Sequence, residues 1–200
     1  MKRDKGFTLI ELMITIIILC ILLGLAIPAF SRWVPNYRLR GAARDIYSNF
    51  QYAKMSNFQY AKMIAVKDRA GCGVLFDRAN NLYRVVSSGP NRAFESTASA
   101  VGGDDVVLRT VNFSEYGSGL AYGHGSATAA IGADFGDEVT FDDDGILLDP
   151  RGMVFKPSNM PVTADGYVYL QNNRNNSYAV GVWISGLVVM RRWTGSAWQQ

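Results

Sequence analysis

The sequence contains few of the residues from which reactive sites are built. Among its 200 residues are two cysteines, Cys20 and Cys72, and one histidine, His124. Cys20 lies in a long apolar run that would sit in lipid, so we expect no disulfide with Cys72, and the rest of the chain must rely on its apolar core. A lone histidine in a glycine-rich stretch supplies neither a catalytic triad nor a cluster of metal ligands. We therefore expect no enzyme, no cofactor and no metal site.

Excess charge of one sign is also scarce. The formal net charge is +3, and the first six residues, MKRDKG, contribute +2 of it, so the remaining chain is close to +1. Nucleic-acid-binding domains carry a basic patch or stripe. We therefore do not expect nucleic acid as a partner unless a local patch exists.

One apolar run occupies residues 7–27. It reads FTLIELMITIIILCILLGLAI, with Glu11 as its only charged residue. At about 1.5 Å per residue, a helix of this length covers the roughly 30 Å hydrocarbon core of a membrane. A carboxylate at the bilayer midplane costs about 3 kcal/mol, and an intramembrane carboxylate usually has a partner and a function.

Three other interpretations of this run are open. A secretory signal peptide has a shorter apolar region followed by a small-residue cleavage site, of which residues 26–29 are a poor version. A plain membrane anchor needs neither Glu11 nor the Gly6-Phe7 pair. A buried core helix would carry more polar residues than this run does.

The stretch Lys5-Gly6-Phe7-Thr8-Leu9-Ile10-Glu11-Leu12 resembles the class III signal of type IV prepilins and type II secretion pseudopilins. The resemblance implies cleavage between Gly6 and Phe7 by prepilin peptidase, followed by N-methylation of Phe7. It also implies that Glu11 acts in assembly, by neutralising the N-terminal amine of the same or a neighbouring subunit.

The same resemblance implies a single-pass protein of the inner membrane, with a cytoplasmic N-terminus and a periplasmic domain. Arginines after the span balance the basic residues before it, so charge alone does not set the orientation. We divide the chain into a leader (1–6), a transmembrane helix (7–27), a periplasmic continuation of that helix (28–70) and a β-rich domain (71–200). Pro28 is predicted to stop or kink the helix, and Pro35 to break it a second time.

Beyond Pro35, apolar residues recur at spacings of three and four and predict one buried helix face: Leu39, Ala42, Ala43, Ile46, Tyr47, Phe50 and Ala53. The sequence SNFQYAKM occurs twice, at residues 48–55 and 56–63. Eight residues advance a helix by about 80° beyond two turns, so both copies cannot present the same face to one core. We interpret the repeat as a passive extension of the helix.

After Gly71 the pattern changes to short strand-like runs separated by turn residues. Strands are predicted at residues 72–77, 81–86, 105–113, 138–141, 152–155, 166–171, 177–184 and 187–193, and residues 114–137 are predicted to form an irregular surface loop. Alternation in Tyr167 and Tyr169, and in Tyr178, Val180, Val182 and Ile184, predicts one buried sheet face. The expected fold class is α+β and pilin-like, with a long N-terminal helix packed on antiparallel sheet.

Two longer phrases, PNYRLRGAARDIYSNFQYAK and VTFDDDGILLDPRGMVF, resemble the GspH/FimT family of minor pseudopilins. The implied function is that of an assembly subunit at or near the tip of a short periplasmic filament, in type II secretion or in a type IV pilus. The implied partners are other pseudopilins or pilins, bound through the N-terminal helix, together with prepilin peptidase and the inner membrane.

Two local patches leave alternatives open. Asp142, Asp143 and Asp144 precede a glycine, which favours a turn, although their oxygens would also suit Ca²⁺. Arg191 and Arg192, near Trp193 and Trp198, would suit single-stranded nucleic acid, and some FimT-like proteins use arginines of this region in DNA uptake. Their Gly-Arg-x-Arg pattern is missing here, so a DNA-binding minor pilin is the alternative function rather than the first.

Overall fold

The computed structural model describes residues 7–63, 71–91, 93–132, 136–148, 153–158 and 160–200, without the side chains of Arg32 and of residues 56–63. One helix, α1, extends over Leu9–Met63 and contains both Pro28 and Pro35. The prediction that the helix stops at Pro28 or breaks at Pro35 was therefore wrong, whereas the alternative of a kink at Pro28 stays a prediction. A proline removes one backbone hydrogen bond and adds a clash, and a helix can absorb both by bending rather than ending.

Strands in the described part of the chain form two antiparallel five-stranded sheets. The first sheet has the order β3-β2-β1-β5-β6 and the second β10-β9-β8-β7-β4. The strands are β1 Cys72–Asp77, β2 Leu82–Ser87, β3 Val106–Asn112, β4 Ala121–Tyr122, β5 Gly145–Leu148, β6 Val154–Phe155, β7 Gly166–Gln171, β8 Ser177–Val182, β9 Val188–Trp193 and β10 Trp198–Gln199. The predicted α+β arrangement, a long N-terminal helix followed by antiparallel sheets, is confirmed.

The second half of α1 packs against both sheets. All predicted face residues from Leu39 to Ala53 are buried, except Tyr47, which is half-buried at the edge of the core. Phe50 lies at the centre, with its ring centroid 6.0 Å from that of Phe76 and 5.8 Å from that of Phe141. The helix periodicity therefore predicted the docked face correctly, because one stripe of α1 faces the sheets.

The second sheet is buried on both faces, which the sequence pattern did not predict. Val168 pairs with Val180 and faces α1, whereas Tyr169 pairs with Ala179 and faces the other way. Tyr167 and Tyr169 thus do not share a face with Tyr178, Val180 and Val182, and Ile184 is half exposed. The outer face is covered by Ile131, Trp183 and Trp198.

One predicted strand is absent from the structure, and three short strands of the structure were not predicted. Residues 138–141 form no strand but a single bridge, from Val139 to Val168. β5 was missed because GILL directly follows three aspartates, and β10 was missed because it is two residues long. Residues 114–137 are not merely a surface loop, since Tyr122 in β4 is buried and its hydroxyl donates to the Leu82 carbonyl at 2.8 Å.

Candidate functional site: the anchor helix and the charged edges of the second sheet

The start of α1 forms a capping box around Glu11. Glu11 Oε2 accepts hydrogen bonds from the Thr8 backbone N–H at 2.9 Å and from Thr8 Oγ1 at 2.8 Å. In return, the Glu11 N–H donates to Thr8 Oγ1 at 3.3 Å. A Thr followed three residues later by Glu is the sequence signature of this motif, and the sequence analysis missed it. Gly6 lies outside the described residues, and Phe7 is exposed.

The capping box changes the role open to Glu11. The carboxylate already has a partner within its own chain, so its desolvation in an apolar environment is partly offset. Only Oε2 takes part in these hydrogen bonds. Oε1 remains available to a further donor. One such donor is the amine of Phe7 that cleavage before this residue would create, two residues before the start of α1 at Leu9.

The first half of α1 makes its apolar surface available to the outside. Its large apolar side chains from Leu9 to Ile27 are between 50% and 76% exposed. The helix is long and apolar enough to cross a membrane. Side chains of this kind need a lipid or protein environment from outside the chain, because nothing in the described structure covers them.

An aromatic ladder follows the apolar run. The Phe30 and Trp33 ring centroids are 6.4 Å apart, and those of Trp33 and Tyr37 are 5.1 Å apart and stacked. All three rings are exposed. Trp and Tyr side chains are enriched at membrane–water interfaces. The ladder therefore marks the end of the apolar part of α1.

A polar network ties the docked half of α1 to the first sheet. The buried Asn49 donates from Nδ2 to the Tyr83 hydroxyl at 2.7 Å, and its Oδ1 accepts from Arg109 at 3.4 Å. One turn earlier, Asp45 accepts from the Tyr116 hydroxyl. Burial raises the pKa of Tyr83 to about 12 and raises that of Tyr116 as well. This network holds the helix in register on the sheet.

Arg191 and Arg192 do not share a face of the second sheet. They are consecutive in β9, so their side chains point to opposite faces of the second sheet. Arg191 pairs with Ala179 on the outer face, while Arg192 pairs with Tyr178 on the face toward α1. Trp193 and Trp198 lie against each other, with ring centroids 5.4 Å apart.

The aspartates at residues 142–144 form a 3₁₀ turn and engage cations of the same chain. Asp142 pairs with Lys156 at 2.9 Å, and Asp144 with Arg78 at 3.1 Å. Within the described residues no group of three or more His, Cys, Asp or Glu side chains is arranged to hold a metal. His124 Nε2 contacts the Asp137 carbonyl at 3.1 Å, and its ring packs on Tyr169.

Comparison with known proteins bears on the N-terminus. Residues 1–27 match the family model described as the prokaryotic N-terminal methylation motif. That match supports a type IV pilin-like protein, and proteins with this motif are in general processed by prepilin peptidase and assemble with other pilins. A search of curated proteins and a search of solved structures found no match to the chain.

Proposed function

We propose that this chain is a minor pseudopilin of the GspH/FimT kind, a structural subunit without enzymatic activity. In this proposal it sits at or near the tip of a short periplasmic filament, in a type II secretion system or as a minor pilin of a type IV pilus. The observation that carries the proposal is the methylation motif at residues 1–27, joined to an exposed apolar helix and a sheet domain.

The two GspH/FimT-like phrases support the narrower assignment by their positions. The first, residues 35–54, is the docked half of α1, including Asn49 and Phe50. The second, residues 139–155, contributes Phe141 and strands β5 and β6 to the first sheet and its core. Both phrases thus lie where helix and sheet meet.

In the proposed mechanism the leader is removed before Phe7 and the anchor helix moves from the membrane into a filament. The N-terminus would be cytoplasmic and the sheet domain periplasmic. The apolar half of α1 would exchange lipid for neighbouring helices. Glu11 would neutralise the new amine through Oε1, while the capping box keeps Oε2 in place.

DNA uptake does not become a second candidate. The Gly-Arg-x-Arg pattern is missing here, and Arg191 and Arg192, which point to opposite faces of the second sheet, share only the small cleft at its edge.

The proposal is tested by comparing Glu11→Ala with Glu11→Gln, using cysteine cross-linking to the co-expressed pseudopilins of the same system. Glutamine retains a capping box but carries no charge. If the charge assembles the subunit, both variants insert into the membrane and both lose cross-linking. Retained cross-linking in both variants contradicts the assembly role, and loss in Glu11→Ala alone assigns Glu11 to capping.

A further inference from the structure

The two edges of the second sheet carry opposite charge. At the β9–β10 edge, Arg40, Arg191 and Arg192 line a cleft of about 210 Å³ that also contains Tyr178 and Gln199. None of the ion pairs in the described part of the chain involves these three arginines. The name "basic edge" is used for this cleft.

The opposite edge is acidic. The Glu138 carbonyl accepts from the Tyr169 N–H at 2.8 Å, which places residues 137–139 beside β7 on the side away from β8. A cleft of about 450 Å³ there is lined by Asp137, Asp142, Asp143 and Asp144 together with Arg78. Arg78 and Lys156 pair with several of these carboxylates, but the carboxylates outnumber the two cations. The name "acidic edge" is used for this cleft.

The two edges cannot meet within one chain, because β8 and β7 lie between them. α1 runs alongside β8. Asn36 accepts a hydrogen bond from Asn172 in the turn before β8, and Lys54 donates to the Gly186 carbonyl in the turn after it. The basic edge and the acidic edge therefore lie on either side of the direction of α1. Chains anchored by α1 in one membrane share its direction, so the basic edge of one chain can face the acidic edge of the next.

We propose that the second sheet is a side-by-side docking surface for a second copy of this chain, with the basic edge of one copy seated in the acidic edge of its neighbour. Charge complementarity between the two clefts selects this occupant. A contact between different patches is heterologous, so it joins adjacent copies side by side rather than as a two-fold symmetric dimer. The inference rests on the proposed function to the extent that it needs copies held in one orientation by the anchor.

Two single-edge variants of the full chain separate this contact from others. Arg192→Glu reverses charge at the basic edge, and Asp143→Lys reverses it at the acidic edge, where Asp143 makes no described ion pair. Arg174→Glu, at an exposed arginine of the β7–β8 turn, is the matched control for the same charge change. Two differently tagged copies are co-expressed in a Cys20→Ser background, one with Gln199→Cys and the other with Asp137→Cys.

The proposal predicts a disulfide-linked dimer between the two tagged copies. When both copies carry Arg192→Glu, we expect the linked fraction to fall about fivefold or more, because attraction becomes repulsion, and to change little with Arg174→Glu. Putting Arg192→Glu in the Asp137→Cys copy and Asp143→Lys in the Gln199→Cys copy leaves the linked pair of edges intact, so linking should persist. Arg192→Glu in the Gln199→Cys copy alone should lower linking as much as it does in both copies, because only that copy contributes its basic edge to the linked contact.

The proposal is overturned if the linked fraction is the same with unmodified edges and with every placement of Arg192→Glu. It is also overturned if Arg174→Glu lowers the linked fraction as much as Arg192→Glu does. Loss of linking with Glu11→Ala but not with Arg192→Glu would reject the edge contact and leave the proposed function standing. Raising the salt concentration should lower the linked fraction of the unmodified pair, because the edges are exposed to solvent. Salt-independent linking contradicts the electrostatic contact.

Discussion

The two halves of α1 belong to one helix but acquire their stability from different sources. From Leu9 to Ile27 every large apolar side chain is at least half exposed, whereas the apolar stripe from Leu39 to Ala53 is buried by the two sheets. The docked half is thus stabilised within the chain, and the anchor half depends on what surrounds it. A helix built this way can change its surroundings at one end without unfolding the domain at the other.

The two halves should differ most in how far the replacement of a large apolar side chain by alanine lowers the free energy of unfolding. Phe50→Ala removes a fully buried ring from the aromatic centre of the core and should lower the free energy of unfolding by about 3–5 kcal/mol. Ile17→Ala, in the anchor, should change the free energy of unfolding of the domain by less than about 0.5 kcal/mol. Denaturant titration of the full chain in detergent measures both. Equal losses would show that the anchor half also contributes to the fold of the domain.

Alkaline pH should weaken the docked half. The pKa of Tyr83 is raised from 10.0 to about 12 by burial, so the unfolded chain loses this proton first as the pH rises. The stabilisation of the folded state by the protonated Tyr83 is complete below pH 10 and is lost as the pH rises from 10 to 12, with a contribution of up to about 3 kcal/mol. Unfolding titrations over this range measure the loss, and Tyr83→Phe should reduce the pH dependence. An unchanged dependence in that variant would contradict the assignment.

The polar network is expected to have an intermediate effect. Tyr83→Phe removes the hydroxyl that accepts from Asn49, which leaves a buried amide donor unpaired and should cost about 1–2 kcal/mol at neutral pH. Tyr37→Phe, in the exposed ladder, is the matched control and should cost less than about 0.5 kcal/mol. Thermal melts of both variants decide whether the network stabilises the helix on the sheet.

The smallest effect is expected for the repeat. The described contacts of the docked face are made by the first copy of SNFQYAKM and the residues before it, up to Lys54. Deleting residues 56–63 shortens α1 by about 12 Å and leaves residues 64–71 to reach β1. We expect a melting temperature within about 4 °C of the intact chain, corresponding to roughly 1 kcal/mol. Loss of the cooperative transition would give the second copy a packing role.

The sequence predicted best where one periodicity governs one face. The stripe on α1 and the bounds of β1 and β7 follow from spacing alone. Alternation failed for the second sheet because both alternate sets of β7 are apolar, so the pattern cannot show that both faces are covered. Arg191 and Arg192 were treated as one patch because they are neighbours in sequence, but strand alternation turns them to opposite faces and they meet only in the cleft at the sheet edge. The role of Thr8 was overlooked because the capping box coincides with the processing motif.

The central claim is that the anchor half belongs to a processed, pilin-like subunit. Intact-mass and N-terminal peptide mass spectrometry of the chain extracted from membranes with active prepilin peptidase tests it most directly. The account predicts that the mature chain begins at N-methylated Phe7, with the six-residue leader removed. A mature chain that begins at Met1, or after Ala29, would contradict it.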